Sequence, residues 1–147
     1  MEIAILGLGC FWGPEIKFSK LDGVIKTEVG YCGGNGSETT YKEICTGTTN
    51  HAEVVKLDFD PKIISYEKIL KFFFEIHDPT TLNSQGPDFG TQYRSEIFYL
   101  NDQQKEISEK VIKEENIKFS GKIVTKTSLV KNYCPAEEYH QKYLEKR

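Results

Sequence analysis

The stretch GCFWG at residues 9–13 sets a thiol, Cys10, between glycines and two large aromatic rings. Pro14 and Glu15 follow, residue types that suit the first turn of a helix, so the thiol is expected just ahead of a helix N-terminus. Unpaired backbone N–H groups and the positive end of the helix dipole both favour thiolate over thiol at such a place. That is a nucleophile's position, and Phe11 and Trp12 could line a pocket beside it. The same placement also suits a small buried hydrophobe after a central strand, and local physics leaves the two readings level.

A second group stands out by its phase. In EVVKLDFD the alternate residues Val55, Leu57 and Phe59 are apolar, and Glu53 shares their period of two. A carboxyl is thereby placed at the end of a strand's buried face, where loss of water disfavours the charged form and makes a general acid. The competing reading is a first polar residue where the strand frays into solvent. Tyr41, in SETTYKE, and Tyr93, in FGTQYRS, carry phenols in polar, turn-rich surroundings, and Asp88 lies in the same long loop as Tyr93. Structural tyrosines and a solvated aspartate are the ordinary outcome for such residues.

The other thiols are Cys32, Cys45 and Cys134. Four cysteines in a secreted chain would suggest two disulfides, but the apolar opening MEIAILGLG has no basic residue before it and no run approaches a membrane span. A cytoplasmic protein with reduced thiols is expected. There is no CxxC pair, and His51, His77 and His140 are far apart in sequence, so no metal site is expected. A net charge of -3 gives no electrostatic case for nucleic acid or an anionic membrane as partner.

The elements that must position these groups alternate along the chain. Residues 2–8 read as an apolar strand buried on both faces, followed by a helix over 14–21 that stops near Gly23. Strands are expected over 24–31 and 51–59, with a glycine-rich loop from Cys32 and a short helix over 41–45 between them. Ser65 caps a helix whose Tyr66, Ile69, Leu70 and Phe73 share one face. Residues 78–92 form a long polar loop, of the kind that is usually functional. A strand over 94–100, a charged helix from Asn101 to about residue 115, a last strand over 123–130 and a helix after Pro135 complete the pattern. Its length predicts one domain, 1–147, and the order of elements an α+β sandwich with a mixed sheet, a doubly wound parallel sheet being the alternative.

Taken together, GCFWG, SETTYKEICTGTTNHAEVVKLDFDP, ISYEKILKFFFEIHDPTTLNSQGPDFGTQYRS and PAEEYHQKYL resemble the A-type peptide-methionine sulfoxide reductase family over nearly the whole chain. The resemblance implies an elaborated ferredoxin-like α/β sandwich that reduces the S epimer of methionine sulfoxide, free or in proteins. By motif position Cys10 is similar to the family's nucleophile, Phe11 and Trp12 to the wall that receives the sulfoxide methyl group, and Glu53 to the acid. Tyr41 and Tyr93 match the hydroxyls that hold the sulfoxide oxygen, and Asp88 matches an aspartate of the substrate site. No cofactor is implied beyond an external thiol reductant, whether thioredoxin, glutaredoxin or glutathione.

Many family members carry a second, resolving thiol on a glycine-rich tail, whereas this sequence reads KYLEKR after the last predicted helix. Cys32 and Cys134 are the candidate internal resolvers, and Cys45 is expected to fill core. Some relatives have selenocysteine at the position of Cys10. A thiol peroxidase, or a non-catalytic reader of oxidised methionine, would use parts of the same residue set.

Overall fold

A computed structural model describes residues 2–9, 12–33, 51–85, 88–130 and 133–136, with only the backbone at 89, 91 and 134. Cys10, Phe11, Tyr41, Cys45, the short helix over 41–45 and the helix after Pro135 lie outside the described residues. The elements run β1 (Glu2–Leu8), α1 (Trp12–Ser19), β2 (Val24–Cys32), β3 (Ala52–Phe59) and α2 (Tyr66–Glu75). A two-residue hairpin β4 (Ser84–Gln85) and β5 (Asp88–Phe89) and a 3-10 turn at Thr91–Tyr93 lead to β6 (Ser95–Tyr99), α3 (Asp102–Lys118), β7 (Lys126–Leu129) and β8 (Cys134–Pro135).

The main sheet has the order β7-β6-β1-β3-β2-β8. Its inner four strands, β6-β1-β3-β2, are antiparallel and give the ferredoxin-like arrangement, while β7 joins β6 in parallel at one edge and makes the sheet mixed. The apolar run of β1 has a simple cause: neighbours on both sides and cover on both faces. Ala4, Leu6 and Leu8 join Val29, Tyr31, Val55, Leu57, Phe59 and Ile97 beneath the helices, whereas Ile5 sits on the opposite face with Cys32, Ala52, Val54 and Phe98. At about 25 cal/mol per Å² of buried apolar surface, such double-sided burial is the main source of the fold's stability.

The helices cover one face for reasons that differ. On α2, Tyr66, Ile69, Leu70, Phe73 and Phe74 are buried, and Ser65 Oγ accepts the Lys68 N–H at 3.1 Å, a cap worth about 1 kcal/mol. On α3 the buried residues are Gln104, Ser108, Val111 and Glu115, a largely polar set. Gln104 explains it, since its Nε2 donates to the Ile3 carbonyl at 2.7 Å and its Oε1 accepts the Leu100 N–H at 2.9 Å. The helix is thus bonded to the sheet as well as packed on it. Among the described residues no helix is long and apolar enough to cross a membrane.

Several expectations need correction. Helix α1 begins at Trp12 instead of residue 14, because a proline in the first turn forfeits only an N–H that has no partner there anyway. Cys32 is the last residue of β2, not part of the glycine-rich loop, and the positive φ of +82° begins at Gly33. The strand expected over 123–130 is confined to Lys126–Leu129, and β8 follows it, pairing with the far edge of the sheet. The loop over 78–92 is not structureless, for it contains a hairpin and a 3-10 turn.

Candidate active site

Four strand ends meet where the chain leaves β1. Because β1 runs antiparallel to both neighbours, Leu6 lies opposite Val55 and Leu8 opposite Ser95, so the exit of β1 is flanked by the start of β3 and the start of β6. The end of β2 arrives at the same place, with Tyr31 paired to Glu53 and, on its other side, to Cys134. Gly7 permits the crowding. A methyl group there would stand 3.3 Å from the Arg94 carbonyl oxygen and 3.4 Å from that of Glu53, so these two backbones converge on the last turn of β1.

Glu53 is the buried carboxyl at this end of the sheet. It is 1% exposed and shares the phase of Val55, Leu57 and Phe59 on the helix-bearing face, so the strand stays regular at this residue and does not fray. His51, two residues earlier in the same phase, is equally buried. In the sequence His51 stands out only as a possible metal ligand, and its place in the phase of Glu53 is the signal of its burial. Trp12, the first residue of α1, packs against the same core. The helix start is held by Glu15, which is buried and accepts the Thr27 hydroxyl on β2 at 2.9 Å. The positive end of α1 is therefore fixed to the sheet two residues after Cys10 in the chain.

Tyr93 is half-buried in the 3-10 turn, which packs against β3 and the hairpin, while Asp88 opens the hairpin's second strand. The structure thus brings Glu53, Trp12 and Tyr93 to one end of the sheet, with Asp88 on the neighbouring hairpin. Cys32 is separated from them: it is 0% exposed and lies with Ile5, Ala52, Val54 and Phe98 on the opposite face. Cys134 lies at the register position beside Tyr31, two strands from Glu53, a backbone separation of about 10 Å at the usual strand spacing. Among the described residues no three His, Cys, Asp or Glu side chains are grouped to hold a metal ion.

The base of the loop is tied by a chain of hydrogen bonds that sequence reasoning missed. His77 Nδ1 stands 2.5 Å from the Phe73 carbonyl, its Nε2 2.7 Å from Ser95 Oγ, and Ser95 Oγ 2.7 Å from Thr125 Oγ1. A carbonyl only accepts, so Nδ1 carries the proton and Nε2 of the neutral ring accepts from Ser95. Burial pushes the His77 pKa down to about 4, against smaller upward contributions from the Phe73 carbonyl and Asp78. An unfolded chain takes up this proton near pH 6.5, the folded one near 4, so stability falls as pH drops through that window and the loss levels off below it. The difference is on the order of 3 kcal/mol. Urea midpoints between pH 7 and 4 are expected to fall more steeply for the native protein than for His77→Gln, and parallel slopes would refute the assignment.

A sequence model of the family described as "Peptide methionine sulfoxide reductase" matches residues 2–147. A peptide methionine sulfoxide reductase MsrA of Pelagibacter ubique is 84% identical over 147 residues, which cover 100% of both chains. Among solved structures, the reduced form of Mxr1 from Saccharomyces cerevisiae aligns with a TM-score of 0.96 at 42% identity, covering 99% of this chain and 85% of that one. Mxr1 in complex with Trx2 aligns with a TM-score of 0.70 at 28% identity, covering 97% and 84%.

Proposed function

The chain belongs to the peptide methionine sulfoxide reductase family, and from that premise we propose how its own residues divide the work. The enzyme reduces the S epimer of methionine sulfoxide and is regenerated by thiols. Cys10 attacks the sulfoxide sulfur, Glu53 delivers a proton to its oxygen, and Tyr41 and Tyr93 hold that oxygen by hydrogen bonds. Phe11 and Trp12 receive the methyl group, and Asp88 contacts the substrate backbone. Residues 1–147 act as one catalytic unit, a reading supported by the family match across nearly all of them.

The observation that carries the assignment is the burial of Glu53 on the apolar face, beside the exit of β1 toward Cys10. A sulfoxide oxygen leaves poorly unless protonated, and a carboxyl withdrawn from water favours its neutral, proton-bearing form. In the reaction the oxygen passes from methionine sulfur to the sulfur of Cys10. Methionine sulfoxide gains two electrons, and Cys10 becomes a sulfenic acid. An external thiol then attacks that sulfur, water departs, and a second thiol reduces the mixed disulfide and restores Cys10.

A protein thiol serves as reductant, consistent with the thioredoxin complex of the related Mxr1. Thioredoxin is the preferred candidate, with glutaredoxin and glutathione as alternatives, in a reducing cytoplasm that supplies them. We favour direct attack by the external thiol over an internal resolver. The burial of Cys32 on the opposite face supports this choice, whereas the register of Cys134 keeps it as the better internal candidate. Supplied with thioredoxin and its reductase, the protein is expected to consume the S epimer of a methionine sulfoxide peptide and leave the R epimer untouched. Replacing Cys32, Cys45 and Cys134 by serine together is expected to preserve multiple turnover; retention of a single turnover alone would establish an internal resolver. Preference for hydrogen peroxide over methionine sulfoxide would identify a peroxidase instead.

A further inference from the structure

Gln85 touches three parts of the molecule that the chemistry must hold in register. Its Oε1 accepts the Asp78 N–H at 3.1 Å, while its Nε2 donates to the Asp78 carbonyl and, at 3.3 Å, to Thr81 Oγ1. One side-chain amide thereby bonds both backbone groups of Asp78, the first residue of the long loop, and closes a small ring within it. Across the hairpin, Gln85 is paired with Asp88. Toward the sheet, its stem rests on Gly9, the residue before Cys10: a methyl group on Gly9 would lie 2.7 Å from Gln85 Cγ and 2.8 Å from Gln85 Cβ. Gly9 also has φ +100°, so absence of a side chain serves both the backbone and the contact.

We propose that Gln85 is a positioning residue that sets the gap between the exit of β1 and the substrate loop, and so governs binding of peptide-bound sulfoxide. The proposal rests on the roles assigned above to Cys10 and Asp88. The His77–Ser95 bond closes the neck of the loop, and the hairpin begins seven residues beyond that neck in the chain. The amide of Gln85 ties the hairpin to the loop side, and its stem meets the sheet side at Gly9. The 3-10 turn bearing Tyr93 packs on β3 as well as on the hairpin, so Tyr93 keeps its place when Gln85 shifts and the displacement falls on Asp88.

Loosening this attachment weakens contacts made to the peptide equally before and during reaction, which raises KM and leaves kcat little changed. Among the described residues Gln85 makes no hydrogen bond to α1, the helix that follows Cys10 in the chain. For Gln85→Ala, KM for a methionine sulfoxide peptide is expected to rise about tenfold with kcat within twofold. Dimethyl sulfoxide, which offers no peptide groups to the loop, should keep its kcat/KM, and the rate of Cys10 alkylation by iodoacetamide should be unaltered. Gln85→Met keeps the stem against Gly9 without the amide and is expected to fall between the native protein and Gln85→Ala. An unmoved peptide KM overturns the proposal, as does an equal loss on peptide and dimethyl sulfoxide, which is the mark of general damage. Cys10→Ser is run in parallel: activity there overturns the site itself, whereas a null there with an unmoved Gln85→Ala KM overturns this proposal alone.

Discussion

Cys10→Ser is expected to lower turnover of methionine sulfoxide by at least about 10³-fold while the protein remains folded. The substitution changes one atom, but a serine hydroxyl is not ionised near neutrality and cannot be made so by a helix N-terminus alone. The start of α1 at Trp12, held to β2 through Glu15 and Thr27, is well suited to stabilise a thiolate and has nothing comparable to act on in serine. Substrate binding through the tyrosines and the aromatic wall should survive. The measurement is a single-turnover assay with mass detection of the protein. One equivalent of methionine sulfoxide adds an oxygen to the native chain and none to the variant; product formation by the variant at a native rate would remove Cys10 from the mechanism.

Glu53→Gln is expected to slow sulfenic acid formation by about 10²- to 10⁴-fold at neutral pH, the usual range for loss of a positioned general acid. Glutamine has nearly the same shape and preserves the polar end of the side chain, so β3 should keep its pairing with Tyr31 and its place beside Gly7. What is lost is a proton that can be given away. The native rate should decline as pH rises and the acid ionises, and the variant should lack that limb of its profile. Rapid-quench measurement of methionine formed in the first turnover separates this step from regeneration. An unchanged first-turnover rate would show that another group protonates the oxygen.

The legible parts of the fold were those where one local rule acted alone. The apolar run of β1, the caps at Ser65 and Asn101 and the period-two phase of β3 each reflect a short-range preference, and all four appear as read. Residues whose role depends on distant partners were not legible. Gln104 reads as one more polar residue of a charged helix, yet it is buried because Ile3, about a hundred positions away, offers it a carbonyl. Cys32 was drawn into the loop by the glycines after it, whereas the pairing with Ala52 keeps it in the sheet. Glu53 was visible as an apolar-face carboxyl, but choosing between a buried acid and a frayed end required the neighbours that β1 and β2 provide. Gln85 carries no local signal at all, since its meaning lies in Asp78 and Gly9 together.

The convergence of strand ends around Gly7 also bears on how the protein comes into being. Glu53 and Arg94 approach the exit of β1 only when β3 and β6 have both paired with it, and these contacts join residues separated by much of the chain. Long-range pairings of this kind close late and slowly compared with local helices. A partly synthesised or partly folded chain therefore has Glu53 without the strand neighbours that bury it. The buried carboxyl beside the exit of β1 exists only once the native topology is complete.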